Sequence, residues 1–280
     1  MSIPVYLVVA LQAEATPVIE KYKLKAVCRG GPFKYFVNKD IELVVSGMGR
    51  INAAAATAAV LQGRDNLNRS IIVNIGIAGH QSLKIASVFV AHKITQCALS
   101  NSWYPPIDIN TPLKTSALET IDKPSGHYPP NTAFDMEAAG FYAIAIRYIP
   151  AELIQVVKVV SDNPDNPLQD ITKQLVSGLI KNAMDEIDLA IKSLTTLAKI
   201  QYDDSAVMVL QKKCEDKFRF RLNQINNFHS LLIRYSSLYG ELPEFSALEN
   251  EANQSQPKLA SKAIIHLLET AIKQKAASAT

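Results

Sequence analysis

The segment Ile154–Val160 (IQVVKVV) constrains the fold most, because its near-continuous apolar character is typical of a strand buried on both faces. Such strands belong to sheets that are covered by helices on both sides. Ser161 and Asp162 follow this run directly. Open α/β sheets place their ligand-binding groups at the carboxyl ends of such strands. We therefore expect Ser161 and Asp162 to face a binding crevice.

A second acidic segment lies upstream, at Asp135–Ala145 (DMEAAGFYAIA). This segment is apolar apart from Asp135 and Glu137, which predicts a buried helix with two acids at its start. Asp135 fits the N-cap of that helix, because its side chain can accept hydrogen bonds from the first N–H groups. Glu137 would lie two residues inside the helix, where an unpaired charge is costly. From these residues alone, a structural ion pair and a ligand site explain Glu137 equally well.

Apolar runs alternate with helical patterns over the first 200 residues, which predicts an α/β domain with a mixed or parallel sheet. The first run, Ile3–Leu11, reads as a buried strand, and Glu14 opens the helix that follows it. Glu14 thus lies at a strand end, as Asp162 does. Between Asn101 and Pro130 the pattern weakens, and the aromatic, proline-rich sequence predicts a long irregular segment.

Two glycine-containing turns follow predicted strands in this domain. Gly47-Met48-Gly49 separates a strand at 42–46 from an alanine-rich helix at 53–62, and a helix start of this kind suits an anion or a hydroxyl group. The segment Gly76–His80 closes the strand at 70–75, and its two glycines allow a flat ligand to approach the backbone closely. Tight packing of helix on sheet explains the Gly47-Met48-Gly49 turn about as well.

Composition excludes several classes of protein. The net charge of +3 over 280 residues gives no strong electrostatic case for binding nucleic acid. No apolar run reaches the roughly 18–20 residues that a membrane span needs, and the N-terminus has no signal-peptide pattern. The three cysteines are far apart and predict neither a disulfide framework nor a zinc site. We therefore expect a cytoplasmic protein without membrane or nucleic-acid partners.

From Ser205 onward the strand pattern does not return. Amphipathic helices are predicted at 207–239 and 257–275, joined by a polar link. The segment Phe218–Arg221 interleaves aromatic and basic residues, and we interpret it as a helix with its apolar side chains inward. The sequence thus predicts two domains, residues 1–200 and a helical extension at 201–280.

Five short motifs follow one another along the chain. They are ALQAE at 10–14, SGMGRINAA at 46–54, NIGIAG at 74–79, DMEA at 135–138 and VSD at 160–162. Together they resemble the purine nucleoside phosphorylase and nucleosidase superfamily, and most closely the methylthioadenosine/S-adenosylhomocysteine nucleosidases. The resemblance covers about residues 3–195 and leaves out the C-terminal helices. It implies a three-layer α/β/α sandwich around a mixed, partly closed central sheet.

The resemblance also implies roles for individual residues. Asp162 would protonate N7 of a purine, Glu137 would hold the ribose hydroxyls, and Glu14 would position or activate the attacking water. Other family positions correspond to residues around the sugar and the base, to which we add Phe134 as a stacking group and Ser161 as the neighbour of Asp162. These candidate substrate-binding residues are Ser46, Met48, Gly49, Ile77, Ala78, Gly79, Phe134, Met136 and Ser161.

The nucleophile is the point on which the family divides. A phosphorylase needs arginines that converge on phosphate, and the candidates here are Arg29 and Arg50. The carboxylate of Glu14 would repel phosphate, so we favour hydrolysis over phosphorolysis. A third alternative is a nucleoside-binding protein without activity, against which the presence of all three acids argues. The hypothesis implies a homodimer that takes a small nucleoside substrate and needs no metal or organic cofactor.

Overall fold

The computed structural model of the protein describes residues 3–97, 101–107, 111–124, 126, 128–167, 172–201, 205–239 and 241–277. The chain divides into two compact units, Met1–Gln201 and Tyr202–Thr280. In the described part of the chain, no helix is long and apolar enough to cross a membrane.

Within the described residues, the first unit is built on a ten-stranded mixed sheet. Strands β5, β9, β8, β6 and β10 form a ring, because β10 pairs with β6 on one side and with β5 on the other. From β5 the sheet continues through β1, β4, β3 and β2, and β7 pairs with β6. The strands are β1 (Val5–Val9), β2 (Lys25–Val27), β3 (Lys34–Val37), β4 (Ile41–Val45), β5 (Ile71–His80), β6 (Val88–Gln96), β7 (Asn101–Trp103), β8 (Lys114–Thr120), β9 (Thr132–Asp135) and β10 (Ile154–Asp162).

Helices cover the sheet in two groups, one made of α1, α4 and α5 and the other of α2 and α3. This arrangement is the three-layer sandwich that the sequence predicts, and the partly closed sheet is confirmed. The helices are α1 (Gln12–Tyr22), α2 (Arg50–Leu61), α3 (Ala138–Ala145), α4 (Lys173–Asn182) and α5 (Met184–Gln201), with short 3-10 helices at Leu67–Arg69 and Ala151–Leu153.

Strand β5 positions the candidate site, because three strands pair with it. β1 and β10 run parallel to β5, and β9 runs antiparallel to it at its carboxyl end. Gly79 of β5 lies opposite Asp162 of β10 and opposite Phe134 of β9. The ends of three strands therefore meet within one short stretch of β5.

The strand ends differ from the sequence-based expectations. The predicted turn at Gly76–His80 is wrong, because these residues continue β5, where they pair with β10 and β9. The segment 101–130 is also less irregular than predicted, since it contains β7 and β8. Both strands pair with β6, so their structure depends on partners distant in sequence and not on local pattern.

The start of the predicted acidic helix is also different. Asp135 ends strand β9 instead of capping a helix, and α3 begins at Ala138. Glu137 occupies the N-cap position of α3, so the prediction that it lies inside the helix is wrong. The pairing of β9 with β8, which places Asp135 beside Thr120, extends the strand up to this point.

The second unit contains α6 (Ser205–Lys217), α7 (Leu222–Tyr239), α8 (Phe245–Asn253) and α9 (Ala260–Ala277). The helix predicted at 207–239 is in fact two helices, which are separated at Phe218–Arg221. Phe218 and Phe220 pack against the core, and Phe220 stacks on Phe228 with 5.0 Å between ring centroids. The unit has its own apolar core, made of Val207, Leu210, Cys214, Phe228, Leu231, Leu232, Leu248, Ala252, Ala260, Ile264, Leu268 and Ile272.

The contact between Gly140 of α3 and Arg50 of α2 gives a first prediction. A Cβ atom at Gly140 would lie 2.0 Å from the carbonyl oxygen of Arg50, so Gly140→Ala should lower the free energy of unfolding by about 1–3 kcal/mol. The matched control is Gly178→Ala in α4, where a Cβ atom meets nothing within 4 Å. This control should raise stability by about 0.5–1 kcal/mol, since alanine favours helix. Urea denaturation measures both, and equal effects of the two substitutions would contradict the close packing.

Candidate active site

Glu14 is fixed at the carboxyl edge of the sheet by three backbone donors. It is the third residue of α1, which begins directly after β1. Its Oε2 accepts hydrogen bonds from the N–H groups of Ala10 (3.0 Å) and Leu11 (2.8 Å). Its Oε1 accepts from the N–H of Ile77 on β5 at 3.1 Å. The buried carboxylate therefore joins the end of β1 to the end of β5.

Lys158 places a positive charge in the centre of this region. It lies in the middle of β10, its side chain is 1% exposed, and its Nζ lies 2.8 Å from Oδ2 of Asp135. A Cβ atom at Gly76 would lie 3.2 Å from this Nζ and 2.9 Å from Oε1 of Glu14. The absence of a side chain at Gly76 thus leaves the space that both charged groups occupy.

Asp135 is the structural counter-ion of Lys158. Its Oδ1 accepts a hydrogen bond from the hydroxyl of Thr120 at 2.8 Å, and its Oδ2 accepts from the N–H of Ala138 at 2.9 Å. Together with Lys158, these donors satisfy the buried carboxylate. The contact with Ala138 gives Asp135 part of the role of a helix cap, although the residue itself belongs to β9.

Glu137 is buried, and one of its two carboxylate oxygens accepts a hydrogen bond. Its Oε1 accepts a hydrogen bond from the N–H of Gly49 at 2.8 Å. Gly49 has φ of 96°, a value that favours glycine, and this conformation directs its N–H toward Glu137. Among the described residues no group donates a hydrogen bond to Oε2, which leaves that oxygen available to a ligand. The glycine-containing turn at 47–49 and Glu137 therefore form one unit of the site.

Burial perturbs the protonation of this cluster. Burial, and next the neighbouring Asp135, raise the pKa of Glu137 to about 7. Burial also raises the pKa of Glu14, although Lys158 and three backbone N–H groups oppose the rise. For Lys158, burial acts to lower the pKa, but Asp135 and Glu137 outweigh it and raise the pKa above its ordinary value. Lys158 is thus charged at neutral pH, and Glu137 can exchange a proton there.

Asp162 forms the second part of the site, at the end of β10. It is 1% exposed, and its Oδ1 accepts a hydrogen bond from the hydroxyl of Ser161 at 2.6 Å. Its Oδ2 accepts from the hydroxyl of Tyr128 at 3.0 Å. A Cβ atom at Gly79 would lie 2.7 Å from this Oδ2 and 2.3 Å from Cζ of Phe134. Only glycine fits between the carboxylate and the aromatic ring.

The two parts of the site are separated by a short length of β5. Glu14 contacts Ile77, whereas Asp162 pairs with Gly79, two residues further along the strand. Two residues of a strand span about 7 Å. This separation suits a small ligand that reaches from the Glu14–Glu137 region to Asp162.

The other predicted site residues fall around the same edge. The hydroxyl of Ser46 donates to the backbone oxygens of Val9 (3.2 Å) and Gly47 (2.8 Å), so it supports the turn. Met48 is 60% exposed and presents its side chain at the surface next to the turn. Met136 and Ile77 are half-buried, and Ala78 is buried.

Both candidate phosphate-binding arginines are in ion pairs. Arg29 lies 2.6 Å from Oε1 of Glu42 and also contacts the ring of Tyr35. Arg50 holds Asp122 with its Nε at 2.6 Å from Oδ1 and its second guanidinium nitrogen at 3.3 Å from Oδ2. Neither pair places a guanidinium on the carboxylates of the site. Within the described residues, no group of three or more His, Cys, Asp or Glu side chains is arranged to hold a metal ion.

Sequence reasoning missed two members of this cluster, Lys158 and Tyr128. Lys158 was hidden in the apolar run IQVVKVV, although a lysine in a strand that is buried on both faces must have a buried counter-charge, and this was the available signal. Tyr128 lies in a segment with no periodic pattern, so nothing in the sequence predicts that its hydroxyl reaches Asp162.

No protein-family model and no curated protein matches the sequence. Solved structures do match. An MTA/SAH nucleosidase is 21% identical with a TM-score of 0.56, and the match covers 69% of this chain and 97% of that chain.

Two further nucleosidases agree with this match. The 5'-methylthioadenosine/S-adenosyl homocysteine nucleosidase of Campylobacter jejuni is 16% identical with a TM-score of 0.54, over 68% of this chain and 100% of that one. The 5'-methylthioadenosine nucleosidase of Arabidopsis thaliana is 22% identical with a TM-score of 0.53, over 67% and 97%. The chain therefore has the fold of the MTA/SAH nucleosidases, as the sequence resemblance predicted.

The buried cation gives a second prediction. Lys158→Met should lower the free energy of unfolding by about 3–5 kcal/mol, because it leaves buried carboxylates without their counter-charge. The control is Lys192→Met, which removes an exposed amino group that pairs with Asp188 one helical turn away and should change stability little. Thermal and urea denaturation at pH 7.5 compare the two. A Lys158→Met protein as stable as the control would contradict the account of the cluster.

The pKa of Glu137 gives a third prediction. Because the folded state raises this pKa to about 7, wild-type stability that is fully present below about pH 4, under the ordinary pKa of glutamate, should be lost as the pH rises through 7. Glu137→Gln has no such proton to lose. It should therefore be more stable than wild type by about 2–4 kcal/mol at pH 8, and the difference should shrink to about 1 kcal/mol at pH 5.

Urea denaturation from pH 5 to 8 measures this difference. Substitution of the exposed Glu20 by Gln controls for the general effect of removing one acidic side chain. A stability difference between Glu137→Gln and wild type that does not depend on pH would show that Glu137 is ionised throughout this range.

Proposed function

We propose that the first unit hydrolyses the N-glycosidic bond of a purine nucleoside of the adenosine type, with or without a 5'-substituent. The observation that carries the proposal is that Glu14 and Asp162 both meet β5, while Glu137 lies near enough to Glu14 and Lys158 for their charges to act on its pKa. The similar solved proteins are nucleosidases for methylthioadenosine and S-adenosylhomocysteine, which supports the same substrate class here.

In this proposal Asp162 acts as the general acid. As the bond between C1' and N9 breaks, the electron pair moves into the purine, and Asp162 in its protonated form transfers its proton to N7. The hydroxyl of Ser161, 2.6 Å from Oδ1, holds the carboxyl group in place. General acid help of this kind contributes about 10²–10⁴ in rate.

The acidic cluster stabilises the sugar side of the reaction. The ribose gains positive charge as the bond breaks, as in glycoside hydrolysis generally. Glu137 would accept hydrogen bonds from the ribose hydroxyls with its Oε2, while Gly49 holds its Oε1. Asp135 is already neutralised by Lys158. The negative charge that remains on Glu14 and Glu137 favours a cationic transition state.

Glu14 would act on the nucleophile. A water molecule attacks C1' and gives a proton to Glu14, so that the products are the free purine and the free sugar. The raised pKa of Glu14 makes it a stronger base than an ordinary carboxylate. Its carboxylate also disfavours an anionic nucleophile, which is why we favour water over phosphate.

Phosphorolysis remains the second candidate, because Arg50 directly follows Gly49, the residue that binds Glu137. Phosphate would have to replace Asp122 as the partner of Arg50. We also propose that the protein is a cytoplasmic homodimer. Met48 and Ile51, which are 60% and 78% exposed, form apolar surface beside the turn, and such surface suits contact with a second copy.

The test is release of adenine or hypoxanthine from methylthioadenosine, S-adenosylhomocysteine, adenosine, inosine and 5'-deoxyadenosine, with and without phosphate. We expect wild type to release adenine without phosphate, and Asp162→Asn to be slower by about 10²–10⁴ because it cannot supply the proton. Asp165→Asn, an exposed acid three residues away, is the matched control. Full activity of Asp162→Asn would overturn the mechanism, and release only with phosphate would favour the second candidate.

A further inference from the structure

The Tyr128 hydroxyl is hydrogen-bonded to Oδ2 of Asp162, the carboxylate oxygen that the proposed mechanism uses. The hydroxyl donates to Oδ2 at 3.0 Å, whereas Oδ1 accepts from Ser161. Gly79 lies directly against Oδ2, and the backbone of β10 fixes Asp162 opposite it. The two oxygens therefore differ in what covers them. A ligand can reach Oδ2 by displacing Tyr128, a side chain that lies outside the sheet.

The position of the Tyr128 ring makes such a displacement feasible. The ring packs against Phe134 with 5.4 Å between centroids and an interplanar angle of 51°, an ordinary aromatic contact. Tyr128 belongs to none of the strands or helices, and it precedes β9 by only a few residues. Phe134 is held within β9 by its pairing with β5, so a displacement of the Tyr128 hydroxyl would leave the phenylalanine ring in place.

The burial of Asp162 gives the reason for an exchange. This residue is 1% exposed, so a purine can reach Oδ2 only if a group that covers this oxygen moves. The Tyr128 hydroxyl takes up one acceptor position of Oδ2, and a general acid for N7 must present this oxygen to the purine. The Tyr128 hydroxyl and the base therefore compete for the space beside one oxygen.

We propose that Tyr128 is a positioning residue which occupies Oδ2 of Asp162 in the ligand-free protein and gives this oxygen up to the purine base. The proposal rests on the proposed function, since it assigns Oδ2 to the base. It implies that the Tyr128 hydroxyl competes with the purine for one acceptor. Tyr128 thus tunes base affinity, while Asp162 carries out the proton transfer.

Tyr128→Phe tests the competition, because it removes the hydroxyl and keeps the ring on Phe134. We expect the dissociation constant for free adenine, measured by calorimetry, to fall about three- to tenfold, as for the loss of one competing hydrogen bond. The KM for the nucleoside should fall to a similar extent, with kcat within about threefold of wild type. A tyrosine that held Asp162 throughout the reaction would instead lower kcat and leave KM unchanged.

The matched control is Tyr22→Phe, which removes another phenol that donates to an aspartate, here Oδ1 of Asp188 at 2.9 Å. It should leave both adenine affinity and KM unchanged. Unchanged or weaker adenine binding by Tyr128→Phe would overturn the proposed exchange. So would a failure of wild type, Tyr128→Phe and Tyr22→Phe alike to bind adenine or hypoxanthine. Tighter adenine binding without turnover of any nucleoside would support the exchange and reject the proposed hydrolysis.

Discussion

The side chain of Lys158 extends from the middle of β10 to Asp135, and its amino group is buried. The rest of the site is arranged around this ion pair. A buried cation requires compensation, and it receives this from Asp135 directly and from Glu137 and Glu14 as the next nearest charges. The same cation allows Glu14 and Glu137 to be buried beside each other. Their raised pKa values report the balance between burial and the attraction of Lys158.

The backbone explains why these charges can meet. β5 pairs with β1, β9 and β10, so groups that are distant in sequence end at one edge of the sheet. Gly76 and Gly79 leave space on β5, the first for Glu14 and Lys158 and the second for Asp162 and Phe134. The glycines of the NIGIAG motif therefore act through the space that they leave, within a strand, and not by forming a turn.

The alternation of buried strands with helical patterns predicts the α/β domain, and the family resemblance predicts its layers. That Glu14, Glu137 and Asp162 serve one catalytic site stays a prediction of the resemblance. Prediction from the sequence fails where partners distant in sequence decide the structure. β8 and β9 form because β6 and β5 pair with them, and this pairing moves Asp135 from a helix into a strand. Lys158 and Tyr128 escape prediction for the same reason, since their roles depend on Asp135 and Asp162 across the fold.

The most direct test of the central claim is a crystal structure of the Asp162→Asn protein with adenosine or methylthioadenosine bound. The account predicts that the base lies near Phe134 with N7 within hydrogen-bond distance of residue 162, and that the ribose hydroxyls contact Glu137. It also predicts that the Tyr128 hydroxyl has left residue 162. A nucleoside bound elsewhere, or a ribose that does not contact Glu137, would contradict the account.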